Sequence, residues 1–161
     1  MRAHLGLGSN QGDRLGALRE ARKALERHGV CVAAASSVYE TAAQGLLPDQ
    51  ADFLNACLAV DVELGPDELL GVCKAVERER GREPGGARHS PRPIDVDLLL
   101  AGPLEHRSES LTVPHPELTA RRFVLEPLLE LEPALTLPDG TPLADRLAAV
   151  GDQRVERLGP L

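Results

Sequence analysis

Successive side chains of a β-strand leave opposite faces, so residues two apart share a face. The run Ile94-Asp95-Val96-Asp97-Leu98 follows that period. It reads as a strand with Ile94, Val96 and Leu98 in a core and both carboxylates projecting together from the other side. Two carboxylates at this spacing form a hard oxygen site suited to Mg²⁺. Arg88 and Arg92 lie just upstream and can clamp phosphate oxygens. The segment from 81 to 93 holds three glycines and three prolines, so it reads as a loop rather than regular structure.

The rest of the chain alternates strand and helix signals. Residues 3–8 read as a strand that ends in Gly6-Leu7-Gly8-Ser9-Asn10. Leu15, Leu18, Ala21 and Leu25 repeat at helical period over 14–28, with Asp13 as N-cap and Gly29 as the stop. Val30–Tyr39 reads as one strand, and Thr41–Gln50 as a loop. From Phe53 to Leu64 the alternation is regular. Leu54, Ala56, Leu58, Val60 and Val62 share one face; Phe53, Asn55 and Cys57 share the other. Pro66 opens a helix with Asp67 and Glu68 in its first turn and Leu69, Leu70, Cys73 and Val76 as its buried stripe. Further on come a short strand at Leu111–Val113, a helix from near Pro116 to about Leu131 that Pro127 interrupts, a turn at Pro138-Asp139-Gly140 and a helix over Leu143–Val150. The polar tail after Gly151 reads as loose. Strands that follow one another with only loops between them favour an α+β fold on a largely antiparallel sheet.

A chain of 161 residues fits a single domain, 1–161, with a real core. The start Met1-Arg2-Ala3-His4 has no signal-peptide pattern, and no apolar run is long enough to span a bilayer. Cys31, Cys57 and Cys73 lack zinc-ligand spacing and read as reduced core residues of a cytoplasmic protein. The net charge of −7 argues against a nucleic-acid surface. Residues 77–92 are the exception, because five arginines against three glutamates leave them at +2 and the remainder at −9. A small positive patch on an acidic protein suits a small anionic ligand.

Several constellations narrow the chemistry. The glycines at 6, 8 and 12 do not have dinucleotide-fingerprint spacing, and a tight strand-to-helix turn explains them more simply. There is no GxxxxGK[ST] motif, so any ATP chemistry uses another architecture. Phe53 and Phe123 are the only phenylalanines. Phe53 shares its strand face with Asn55, a pairing of stacking ring and amide that can line a heterocycle pocket. His115 sits between two prolines in a rigid turn, ahead of Arg121.

Taken together, these motifs resemble the 6-hydroxymethyl-7,8-dihydropterin pyrophosphokinase family. The resemblance rests on Leu7-Gly8-Ser9-Asn10, Ser36-Ser37-Val38-Tyr39-Glu40-Thr41, Gln50-Ala51-Asp52-Phe53-Leu54-Asn55-Ala56, Glu77 with Gly81-Arg82, Pro91-Arg92-x-x-Asp95-x-Asp97, Leu111-Thr112-Val113-Pro114-His115-Pro116 and Arg121-x-Phe123, in that order. It implies a three-layer α/β/α sandwich on a mainly antiparallel, ferredoxin-like sheet. It also implies transfer of pyrophosphate from ATP to the pterin alcohol, with release of AMP, in folate biosynthesis. On this resemblance Asp95 and Asp97 hold two Mg²⁺ ions, and Arg82, Arg88 and Arg92 act on the phosphates. Glu77, Leu98, Thr112, His115 and Arg121 match positions around ATP; Thr41, Phe53, Asn55 and Phe123 match positions around the pterin. A monomer with small-molecule partners only is expected.

The chain departs from the family pattern where an arginine is usual at Pro84, a tryptophan at His89 and a glycine at Ser90. Prolines common in the family are absent at Ala43 and Ala51, and Pro93 follows Arg92 directly. These changes motivate one alternative, a non-catalytic pterin- or nucleotide-binding relative with an impaired loop. A ferredoxin-like regulatory module is a second, which leaves Asp95 and Asp97 unexplained.

Overall fold

A computed structural model describes residues 1–42, 52–80 and 93–161. In chain order the elements are β1 (Arg2–Ser9), α1 (Arg14–Arg27), β2 (Cys31–Ala35), β3 (Ser37–Thr41), β4 (Phe53–Asp61), α2 (Pro66–Glu79), β5 (Asp95–Leu100), β6 (His106–Arg107), β7 (Thr112–Val113), α3 (Arg122–Leu131), α4 (Ala144–Leu147) and β8 (Val155–Pro160). Among the described residues six strands form one sheet, ordered β5-β1-β4-β3-β8, with β2 also on β4. Its pairings are antiparallel. β1 and β4 pair along their length, from Arg2 opposite Asp61 to Ser9 opposite Leu54.

The alternation along these strands divides the interior in two. Leu5 and Leu7 of β1, Leu54 to Val60 at alternate positions of β4, and Val96 and Leu98 of β5 pack against Leu18, Leu25, Leu69 and Val76 of α1 and α2. On the other face Cys57, Leu99 and Leu100 meet Val124, Leu125 and Leu128 of α3. This is the expected α/β/α layering. Leu99 and Leu100 both reach the second core because the β1–β5 register shifts between His4 and Leu5. The Asp13 side chain caps α1 by accepting from Gly16 N at 3.0 Å. Gly29 follows α1 at φ +88°, where a side chain would be strained.

Several expectations change. The single strand over Val30–Tyr39 is two strands, interrupted at Ser36, because the Ser36 hydroxyl enters the ladder. Its Oγ accepts from Cys57 N at 2.9 Å and donates to Ser37 O at 2.7 Å. β2 and β3 therefore share one edge of β4 in succession. The helix expected from Pro116 is a 3₁₀ turn at Leu118–Ala120 followed by α3, separated by extended Arg121. Pro127 lies inside α3 without ending it. The tail after Gly151 is not loose: β8 pairs with β3 from Thr41 opposite Val155 to Ser37 opposite Pro160. Cys31 is exposed at the start of β2, whereas Cys57 and Cys73 are buried.

Candidate active site

Gly6 and Gly8 belong to β1 itself, not to a turn after it. Gly6 lies between Asp97 of β5 and Cys57 of β4; Gly8 lies between Asp95 and Asn55. These positions share the sheet face that meets α3. Two neighbouring positions without side chains leave a trough between the carboxylates of β5 and the amide and ring of β4. A cavity of about 470 Å³ occupies it, walled on the far side by His115, Glu117, Arg121 and Phe123. The trough is narrow. A Cβ on Gly8 would stand 3.1 Å from Asn55 Oδ1, and one on Gly6 3.3 Å from Leu99 Cδ1. The sequence signal for these residues was their alternation, at 6 and 8, within an apolar opening.

Negative charge is crowded on the carboxylate side of the cavity. Burial, then Asp95, then Glu77 push the Asp97 carboxyl up to about 6. Asp95 and Asp97 both line the cavity. Glu77 lies on α2 with its carboxylate buried. Its Oε2 accepts from Val96 N at 2.9 Å, and Oε1 stands 3.2 Å from Lys74 Nζ. That contact pins α2 to the backbone between the two aspartates, from the opposite side of β5. The Asp95/Asp97 pair is the donor set a divalent cation would use. It supplies two ligands on one face and leaves room for water or phosphate oxygens to complete a shell.

The side of the cavity formed by β3 and β4 is ordered by hydrogen bonds. Asn55 Nδ2 donates to Thr41 Oγ1 at 3.1 Å, and both residues are buried. That bond orients the amide, and the pair faces the cavity with Phe53. Phe123 enters from the first turn of α3. Glu130, two turns further on, fastens that helix to β3. Its carboxylate accepts from Ser37 N, Ser37 Oγ and Tyr39 OH, the last at 2.5 Å. Burial pushes the Glu130 carboxyl up, but these bonds outweigh it and hold the group below its ordinary value. Burial and Glu130 together push the Tyr39 hydroxyl up, so it stays a donor.

The Arg121 guanidinium pairs with the Glu117 carboxylate and sits 5.5 Å from the Phe123 ring centroid. His115 N donates to Leu99 O at 2.9 Å, which ties this wall to β5. Glu117 N donates to His115 Nδ1 at 3.1 Å, so the neutral ring carries its proton on Nε2. Burial, then the Arg121 charge, lower the His115 pKa, and Glu117 opposes them.

The cavity thus gathers Thr41, Phe53, Asn55, Asp95, Asp97, His115, Arg121 and Phe123 of the expected residues. Glu77, Leu98 and Thr112 are not among the lining residues. Leu98 packs its side chain into the core on the opposite face, and Leu99, its neighbour in β5, lines the cavity instead. Thr112 lies in the short β6–β7 pair. Arg82, Arg88 and Arg92, with Pro84, His89, Ser90, Ala43 and Ala51, lie outside the described residues.

Residues 4–133 match the family model for 7,8-dihydro-6-hydroxymethylpterin-pyrophosphokinase (HPPK). The chain belongs to this family. A 2-amino-4-hydroxy-6-hydroxymethyldihydropteridine pyrophosphokinase of Methylorubrum extorquens is 40% identical over 158 residues, covering 98% of each chain. One from Bacillus subtilis is 43% identical over 130 residues, covering 80% of this chain and 77% of the relative. A mitochondrial folate synthesis bifunctional protein of Pisum sativum is 44% identical over 127 residues, 79% of this chain. The chain spans only 24% of that plant relative's length. A Plasmodium falciparum HPPK-DHPS superposes with a TM-score of 0.69 over 92% of this chain and 44% of its own, at 15% identity. At that identity the likeness is one of fold.

Proposed function

We propose that the chain transfers the pyrophosphoryl group of ATP to the hydroxymethyl group of 6-hydroxymethyl-7,8-dihydropterin, releasing AMP, as a step of folate biosynthesis. The observation that carries this reading is one cavity with two chemically distinct sides. A carboxylate pair lies against one side, and an amide, a hydroxyl and two phenyl rings line the other. Membership of the pterin-pyrophosphokinase family supports the same assignment.

In this reading Phe53 and Phe123 hold the pterin ring between them, and Asn55 pairs with its heteroatom edge. Thr41 fixes the amide's orientation, so Asn55 presents its Oδ1 as an acceptor. Asp95 and Asp97 hold Mg²⁺, two ions in all, on the ATP side. Their fit to a divalent cation is supported by the raised Asp97 carboxyl, whose crowding with negative neighbours a dication relieves. When bound, Mg²⁺ supplies charge neutralisation for the phosphate oxygens and aligns them.

His115 offers Nε2–H and Arg121 offers its guanidinium to ATP. Arg82, Arg88 and Arg92 provide further positive charge, in keeping with the local +2 of residues 77–92. The pterin hydroxyl oxygen loses its proton to water as it forms a bond to the β-phosphorus, and the bond from that phosphorus to the oxygen leaving with AMP breaks. Such a transfer needs positioning and neutralisation more than covalent help from side chains. All the assigned groups come from one chain, so the working unit proposed is a monomer, with cytoplasmic location. No helix among the described residues is long and apolar enough to cross a membrane.

The test is an incubation with ATP, Mg²⁺ and the pterin alcohol, with the nucleotide product identified. AMP formed only when all three are present is the expected result. ADP would refute pyrophosphoryl transfer. Pterin binding without turnover would restore the non-catalytic alternative.

A further inference from the structure

Helix α1 begins with a cation at its first position, Arg14. That is the end of a helix where the macrodipole disfavours positive charge. The arginine is compensated from elsewhere in the chain. Its Nη1 donates to Glu40 Oε2 at 2.8 Å and to the Asp52 carbonyl at 2.8 Å. One nitrogen thus uses both of its protons to join Glu40 of β3 to the residue just ahead of β4, at the end of the two strands that carry the proposed pterin residues. The ion pair is mostly sheltered, with 30% and 23% of the two side chains exposed.

The contacts of Arg14 fall next to the proposed pterin residues. Glu40 pairs with Leu54 and Thr41 with Phe53 in the β3–β4 ladder, and Asp52 precedes Phe53. Side chains alternate along β3. Tyr39 bonds to Glu130 of α3 and Thr41 lines the cavity, while Val38 packs into the core beneath α1. Glu40 shares the face of Val38, so Arg14 acts from behind the cavity wall. It is not among the lining residues. Thr41 is also the last residue of β3, and Phe53 the first of β4. Strand ends fray unless tied down, and this one is tied by Arg14.

We infer that Arg14 is a positioning residue for the pterin side of the cavity, holding the Thr41–Phe53 end of the β3–β4 ladder in register through Glu40 and the Asp52 carbonyl. The inference rests on the pterin reading of the preceding subsection. Removing the brace raises the entropy that ligand binding must overcome at Thr41, Phe53 and Asn55, while the carboxylate side, on β5, is left alone.

The experiment compares wild type with Arg14→Met, which keeps the stem, with Glu40→Gln, and with the double variant. Pterin and ATP affinities are measured separately by calorimetry, together with Tm. The expected result is pterin binding weakened about five- to tenfold in Arg14→Met, the scale of one charge-assisted hydrogen bond. ATP affinity stays unchanged. The double variant is no worse than Arg14→Met alone, because the two side chains act as a unit. Unchanged pterin affinity in Arg14→Met overturns the inference. So does parallel weakening of both ligands with a lowered Tm, which would make Arg14 a general brace of the fold. If wild type itself binds no pterin, the functional reading fails first and takes the inference with it.

Discussion

Asp97→Asn is expected to stabilise the metal-free protein near neutral pH while abolishing turnover. The Asp97 carboxyl is pushed from its ordinary 3.8 up to about 6 by burial and by Asp95 and Glu77. Because the folded-state pKa lies above the unfolded one, the native state binds more protons between pH 3.8 and about 6. Stability therefore falls as pH rises through that window. At 1.36 kcal/mol per pH unit the whole window amounts to ~3 kcal/mol. That is an upper bound, because water entry and relaxation raise the effective dielectric. Asparagine has the same shape and nothing to ionise. The difference between wild type and variant should then be small at pH 4 and reach up to ~3 kcal/mol in favour of the variant at pH 7. For a domain of this size that corresponds to a Tm several degrees higher, at about 2–4 °C per kcal/mol. The assay is urea unfolding of both proteins in chelator across that pH range. Adding Mg²⁺ should then raise the stability of wild type and leave the variant unmoved. A stability difference that does not change between pH 4 and pH 7 would refute the electrostatic account of this site.

Gly8→Ala should leave the fold intact and weaken pterin binding by ~1–3 kcal/mol, the usual cost of overfilling a packed site, because the new Cβ meets Asn55 Oδ1; calorimetry with the pterin alcohol checks it. Phe123→Ala should weaken the same binding by ~1–3 kcal/mol if the ring is a stacking wall. Unchanged affinity would assign the ring to packing alone. Tyr39→Phe removes one donor from the Glu130 carboxylate and should cost ~1.5–3 kcal/mol of stability, the range for a hydrogen bond to a charged group. Urea unfolding reads that loss, and a smaller one would mean that Ser37 satisfies Glu130 unaided.

Much of the site was legible because β-strand alternation is a local property. Phe53 and Asn55 face one way and Leu54 and Ala56 the other, whatever the strand pairs with, and Asp95 and Asp97 obey the same rule. The Asp13 cap was equally local. Leu98 shows the limit of a motif carried over residue by residue. Alternation already placed its side chain in the core with Ile94 and Val96, and there it lies. Gly6 and Gly8 were read as a turn because glycine so often marks one. What makes them strand residues is pairing with β4 and β5 on both sides, and nothing near them in the chain reveals those partners.

By itself, then, the amino-acid sequence determined the faces of the strands, the residue types at the two sides of the site and the family. Only the tertiary structure decided that the two sides meet. β1, two glycines wide at that point, runs between β5 and β4 and brings Asp95 and Asp97 alongside Asn55 and Phe53. Long-range pairing also decided that Ser36 breaks a strand by bonding Cys57, that residues 155–160 become an edge strand on β3, and that Arg14 finds Glu40 and Asp52. The physical reason is the same in each case. A backbone or guanidinium donor can be satisfied by many acceptors along the chain, and the choice among them is made by which surfaces the buried cores bring together.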